Sequence, residues 1–288
     1  MVRLQFSVEL NYDIAPPGGD FIFNLHAAHT PQQAVLQESL RVSQAVPYDI
    51  ATDPVSRNRY LRLQAGAGHL QVVYAATVEI NHYRANPPEL SEVPVWQLPG
   101  AVLPYIYPSR YCQSDRLNRL ALKEFGHLPQ GCSRVQAICD WVQQRVSFES
   151  NSSDGSTSAL DTLIDRAGVC RDFAHLMIAL CRALNLPARF ATGTDYGADP
   201  VLGPPDFHAY VEVYLSHRWY MFDPSGTAIP MGFLRLGTGR DAADSAFATL
   251  FGGITSGSPV IQIQPVANRH GQVVVPQRVA QVLSTDAG

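Results

Sequence analysis

The sequence predicts an α+β protein with an all-β, sandwich-like region in front of a mixed region. Three observations lead there. Runs of alternating polar and apolar residues, broken by Gly and Pro clusters, fill residues 1–112. A segment beginning at Cys170 repeats apolar residues at threes and fours, the period of a buried helix face. Residues 208–223 hold two further strand-like runs separated by two residues, the pattern of a β-hairpin.

In the front region the expected strands are Leu4–Leu10, Asp20–His26, Ala34–Val42, Tyr60–Ala65 and His69–Ile80. They are punctuated by Pro16-Pro17-Gly18-Gly19 and Gly66-Ala67-Gly68. A Pro-rich stretch from Asn86 to Pro108 carries the chain across to a second domain, taken as residues 113–288. Ser114 or Asp115 is expected to cap a helix bearing Leu117, Leu120, Ala121 and Phe125. Ser133 with Gln136 reads as a capping box for the next helix, whose stripe is Val135, Ile138, Cys139, Val142 and Val146. Asn151–Ser158 is a polar loop ending in a third cap, Ser158 with Asp161.

The helix after Gly168 carries Phe173, Ala174, Met177, Ile178, Cys181 and Leu184 on one face, with Asn185 and Pro187 as its stop signal. Gly168 lets the chain bend into the first turn. A strand over Ala188–Thr192 and a turn at Gly193–Gly197 follow, then the irregular Ala198–Asp206, whose three prolines suit a cleft wall. In the next run His208, Tyr210, Glu212 and Tyr214 share one face, and Ala209, Val211, Val213 and Leu215 the other. With Ser216-His217 as the turn, Leu215 pairs with Arg218 and Tyr210 with Asp223, which puts Asp223 on the face of His208 and one diagonal step away. A one-residue slip would flip it to the other face. Two short strands are expected in the tail between Pro259 and Val275.

These positions bring three chemistries into order. A thiol among the unpaired N–H groups of a helix start feels the positive end of the dipole, which favours the thiolate. An imidazole can take the thiol proton and later deliver it to a leaving amine, and a carboxylate can hold that imidazole in one tautomer. Cys170, His208 and Asp223 therefore read as nucleophile, general base and acid, and orienting carboxylate, passing through a thioester acyl-enzyme. The backbone N–H of Cys170 is a candidate oxyanion donor; the second donor is not legible.

The blocks Gly168–Leu176 (GVCRDFAHL), Asp206–Leu215 (DFHAYVEVYL) and Arg218–Gly226 (RWYMFDPSG) resemble, in order and spacing, the three catalytic blocks of the bacterial transglutaminase-like superfamily. The resemblance is strong over roughly residues 116–235, and the front region resembles the β-rich part often joined to that core. It implies a papain-like core, in which the helix bearing the cysteine packs on an antiparallel sheet bearing the histidine and aspartate. It also implies the same roles for Cys170, His208 and Asp223, and an acid at Asp172 that supports the site. Arg171 stands where animal transglutaminases have tryptophan, and no acidic calcium-type loop occurs, so calcium activation is not expected. The absence of any Cys-x-x-Cys argues against the zinc-bearing peptide N-glycanase branch.

Bland readings fall to the remaining residues. Cys181 and Cys139 lie on core faces, and Cys112 and Cys132 lack the turn-helix setting. His175, five residues past Cys170, is off the nucleophile's face and reads as packing; His217 occupies the hairpin turn. Trp141 borders an apolar stripe and reads as core. Tyr196, in the turn leading toward His208, is a candidate substrate contact.

With 46% hydrophobic residues and a net charge of −4 over 288 residues, the chain can bury a full core and shows no basic surface for nucleic acid or an anionic membrane. No apolar run approaches ~18 residues. The amino terminus alternates as a strand does, unlike a signal peptide. Five cysteines at irregular spacing fit a reducing cytosol. Neither a cofactor nor a metal is expected, since Cys170 and His175 lack further ligands nearby. The expected activity is hydrolysis of amide or peptide bonds in a peptide or protein substrate. The alternatives are transfer of glutamine acyl groups to an amine and a non-catalytic peptide-binding scaffold.

Overall fold

The alternation at the amino terminus becomes a thirteen-residue strand, β1 (Val2–Ile14), in which every even-numbered residue is buried. The structure, a computed structural model, describes residues 1–197 and 205–286. Next come β2 (Gly19–Phe23), β3 (Gln33–Val42), β4 (Tyr48–Thr52), β5 (Arg59–Ala65), β6 (Gly68–Ile80) and β7 (Tyr83–Ala85). β6 pairs antiparallel with β1 from Val2↔Ile80 to Ile14↔Gly68 and with β3 on its other side. β2, β5 and β4 form a second sheet. The two sheets share one apolar core, within which the rings of Tyr12 and Phe21 meet edge to face at 5.3 Å. The five expected strands are present. β4 was not anticipated: it is an edge strand with four of its five residues exposed, so burial wrote no alternation into it.

The helical half follows: α1 (Ser114–Phe125), α2 (Cys132–Arg145), β8 (Ser147–Phe148), α3 (Ala159–Asp165), β9 (Ala167–Gly168) and α4 (Cys170–Ala183). A four-stranded sheet comes next, built from β10 (Ala188–Asp195), β11 (Phe207–Leu215), β12 (Arg218–Phe222) and β13 (Phe233–Gly239) in the order β12-β11-β10-β13, antiparallel throughout. The capping expectations divide. Ser158 and Asp161 do bond, the Ser158 N–H and hydroxyl both donating to Asp161 Oδ2 at 2.9 and 2.6 Å. α1 begins on Ser114 itself, behind an uncapping Gln113. α2 opens after Gly131, which leaves Ser133 inside the first turn with its hydroxyl on the Pro129 carbonyl.

α4 lays Phe173, Ala174, Met177, Ile178 and Cys181 into a core shared with Phe190 of β10 and with Ala209, Val211, Val213 and Leu215 of β11. Each large apolar side chain so buried contributes roughly 1.5–3 kcal/mol before entropy is counted. The helix ends where Asn185 takes a left-handed φ of 61°. At the hairpin Ser216 and His217 both have positive φ, 44° and 61°, the type I′ geometry that suits strand twist. That turn sets the anticipated register, Leu215↔Arg218 through Val211↔Phe222.

The last elements are α5 (Ala242–Ser245), β14 (Ala248–Phe251), β15 (Ile254–Ser256), β16 (Val260–Pro265) and β17 (Val282–Ser284). Residues 248–265, assigned by sequence to the helical side, return to the front sheets. β14 pairs with β2, and β15 and β16 pair with β1. The sandwich thus draws strands from both sides of residue 112. Of the two strands expected between Pro259 and Val275, β16 is one, and the other is reduced to a bridge between Ala267 and Val273. The Gln33 side chain joins the halves, its Nε2 donating to the Arg235 carbonyl at 2.9 Å and its Oε1 accepting from the Arg235 N–H at 2.9 Å.

Candidate active site

Cys170 is the first residue of α4, so its backbone N–H has no acceptor within the helix. It is the one partly exposed thiol; Cys112, Cys132, Cys139 and Cys181 are buried, and burial pushes their pKa values up, to about 12 for Cys112 and about 11 for Cys132. Asp172, fully buried, accepts the Val169 N–H on Oδ2 at 2.8 Å and so ties the residue before Cys170 to the first helical turn. Arg171 donates to Asp172 Oδ1, to Ser153 Oγ at 3.1 Å and to the Asp154 carbonyl at 2.7 Å, which pins the 151–158 loop beside the helix start. Gly168 is needed for a reason other than a bend: a Cβ there would stand 2.7 Å from Asp172 Cβ.

His208, the second residue of β11, is 7% exposed. Its Nε2 is 3.4 Å from Asp223 Oδ1, an ion-pair distance, and the Cys170 thiol is near enough to the same ring to act on its charge. Burial alone would lower the imidazole pKa. The Asp223 charge, with Cys170 behind it, outweighs it and holds His208 well above its ordinary value. Asp223 answers in the opposite sense. Burial pushes its carboxyl up, but His208 and donors from the following loop bring it below the usual carboxylate range. Those donors are the Ser225 N–H at 3.0 Å and hydroxyl at 2.5 Å, both on Oδ1, and the Ala228 N–H at 2.9 Å on Oδ2. Phe233 stacks on the imidazole with ring centres 5.3 Å apart.

Cys170, His208 and Asp223 are therefore brought together, with Asp172 behind the first of them. Tyr196 makes none of the described contacts with these three. It is half-buried against the sandwich-side core, its N–H on the Gly232 carbonyl at 3.0 Å. Residues 198–204, most of the expected cleft wall, lie outside the described residues. His175 is a core residue, stacked on Tyr111 at 5.0 Å and accepting the Ala242 N–H at 3.1 Å; burial drives its pKa well below the ordinary value. Trp141 packs edge-on against Phe125 and donates to Glu124. Sequence reasoning missed Ser225 and Ala228, although Asp-Pro-Ser-Gly is the composition of a turn in which an aspartate accepts from the residues after it.

Below the site, on the same face of β11, Glu212 is fully buried between Arg189 and Arg235, and Asp286 closes the group by accepting from both arginines. Among the described residues no group of three or more His, Cys, Asp or Glu is arranged to hold a metal, and no helix is long and apolar enough to cross a membrane.

Both halves of the chain resemble known proteins. Residues 122–224 match the model of the transglutaminase-like superfamily core, and residues 2–101 match that of the bacterial transglutaminase N-terminal domain. A crystal structure from Cytophaga hutchinsonii, provisionally described as a cysteine protease, is 37% identical and superposes with a TM-score of 0.90 over 98% of this chain and 97% of that one. An uncharacterized protein of Mycobacterium leprae is 29% identical over 117 residues, covering 39% of this chain and 42% of its own. One of Mycobacterium tuberculosis is 34% identical over 121 residues, covering 38% of each. The match spans about two fifths of the length of these curated relatives.

Proposed function

The chain belongs to the transglutaminase-like superfamily, and from that membership we propose that it is a cysteine-dependent hydrolase of amide or peptide bonds. Cys170 attacks the acyl carbon, His208 takes the thiol proton and returns it to the leaving amine, and Asp223 orients the imidazole. The thioester is then opened by water. The observation that carries the reading is the buried His208 ring, with Asp223 Oδ1 3.4 Å from its Nε2 and the partly exposed Cys170 thiol beside it at the start of α4. Water is the proposed acceptor because two of the three tryptophans, Trp141 and Trp219, are committed to packing against Phe125 and against Tyr105 and Tyr214. Neither is free to wall a dry amine channel. The five unpaired thiols fit a reducing compartment, so we place the protein in the cytosol.

Brief iodoacetamide treatment at about pH 6, below the ordinary thiol range, followed by mass spectrometry, tests the nucleophile. Selective labelling of Cys170 that disappears in His208→Ala is expected; equal, slow labelling of every accessible thiol would sink the reading. A peptide and amide library, compared between wild type and Cys170→Ala, tests the reaction. Faster incorporation of a primary amine into glutamine peptides than their hydrolysis would replace water with an amine as acceptor.

A further inference from the structure

β10 ends on Asp195, and the strand registers place it on the face of the sheet that carries His208, one diagonal step away. Gly193 lies directly across from His208, and Asp195 is the next residue on that face, paired on its other side with Phe233. Phe233 is the residue whose ring stacks on His208. Gly193 interposes no side chain and has no room for one, since a Cβ there would stand 2.1 Å from the Leu234 carbonyl oxygen. The imidazole thus has one carboxylate from the end of β12 and a second on the diagonal from β10.

Asp195 is 4% exposed, and its Oδ2 has no hydrogen-bond partner among the described residues. A buried carboxylate oxygen without a donor is costly and calls for a charge that answers it. Burial is the main influence on this carboxyl and raises its pKa; the positive charge that reaches it is that of His208, opposed by the negative charge of Asp223. Among the described residues, the other charged groups on this face are accounted for. Arg189, Glu212, Arg235 and Asp286 are tied to one another further along the face. Asp206, just before β11, is exposed and accepts the Phe207 N–H. From α4 the group that faces His208 is Cys170.

We propose that Asp195 is a positioning residue of this site, a second carboxylate that acts with Asp223 to keep His208 in the protonated form that pairs with the Cys170 thiolate. The proton involved is the thiol's own, moved from Sγ to the imidazole, so the pair forms without net loss or gain. This inference rests on the reading of Cys170 as the nucleophile.

The test is the titration of His208 followed by its imidazole C–H resonance, in full-length Cys170→Ala and in Cys170→Ala/Asp195→Asn. Loss of the second carboxylate should lower the midpoint by roughly one pH unit, the scale of a unit charge on the diagonal, ~7–8 Å away, at an effective dielectric constant of roughly 20–40. Asp195→Glu should restore the higher midpoint, and Asp195→Ser replaces the Asn variant if that fails to fold. Coincident titrations, or a Glu variant displaced as far as the Asn one, would overturn the proposal, because packing and not charge would then be at work. A parallel experiment uses iodoacetate on proteins retaining Cys170. The alkaline fall in alkylation rate should come at lower pH in Asp195→Asn than in wild type. A wild-type thiol alkylated like a free cysteine, with no alkaline fall, would remove the nucleophile reading and this inference with it. A wild-type fall that Asp195→Asn leaves in place removes the inference alone.

Discussion

Gly168 and Asp172 touch so closely that any side chain on the first would displace the second: a Cβ on Gly168 would lie 2.7 Å from the Cβ of Asp172. Asp172 in turn holds the Val169 N–H, and Cys170 follows. Gly168→Ala should therefore shift the helix start and cost on the order of 1–3 kcal/mol, the scale of overpacking. Urea denaturation measures the loss, and alkylation of Cys170 should slow in the same variant. Unchanged stability and reactivity would mean that the contact is absorbed elsewhere.

His208 gives a pH signature. Its folded pKa is raised above the unfolded value of about 6.5. The stabilisation from its charged form is therefore fully present below about pH 6.5 and is lost as pH rises through the folded pKa. Asp223 is depressed, so its contribution is present above about pH 3.9 and is lost as pH falls through its folded pKa. The stability advantage of wild type over His208→Gln should be largest between these limits, at roughly pH 5–6, and shrink toward alkaline pH. Thermal unfolding across this range reads it out, and an advantage growing with pH would contradict the assignment.

Arg171 joins Asp172 to Ser153 and Asp154 from a side chain that is 28% exposed. Replacing it with Ala should change global stability by no more than about 1 kcal/mol, as for other partly solvated pairs. Amide hydrogen exchange across residues 151–157 should nonetheless accelerate, because the loop loses its link to α4. Exchange at the wild-type rate would show that the loop is held by its own turns.

Glu212 answers two arginines with no access to water. Glu212→Ala leaves Arg189 and Arg235 with Asp286 alone to answer their charge and should cost about 3–5 kcal/mol. Glu212→Gln, which keeps the shape and one set of acceptors, should cost less. Chemical denaturation of the two variants side by side checks the order, and equal losses would point to packing over charge.

The helix start, the hairpin and its register were legible because each is encoded locally. Apolar spacing after Cys170 gives the helix, and the two-residue loop Ser216-His217 sets which residues face one another. That was enough to place Asp223 beside His208. Asp195 escaped notice because its role depends on β10 pairing with β11 across a long connection and on Gly193 leaving the space open, neither of which shows in the residues around it. β14 and β15 escaped for the same kind of reason: they are short, and what they pair with lies more than two hundred residues earlier. Tyr196 packs half-buried against the sandwich-side core, a placement set by distant partners and not written in the turn around it.

The return of β15 and β16 to β1 has a bearing on how the molecule is made. β1 can zip onto β6 as soon as residue 80 is available, but its other edge stays uncovered until residues 254–265 have been synthesised. Between those two moments the ribosome delivers every helix and the whole Cys170–His208–Asp223 cluster. The nascent chain therefore carries an open, aggregation-prone border through most of its synthesis, and the last strands act as its closing seam.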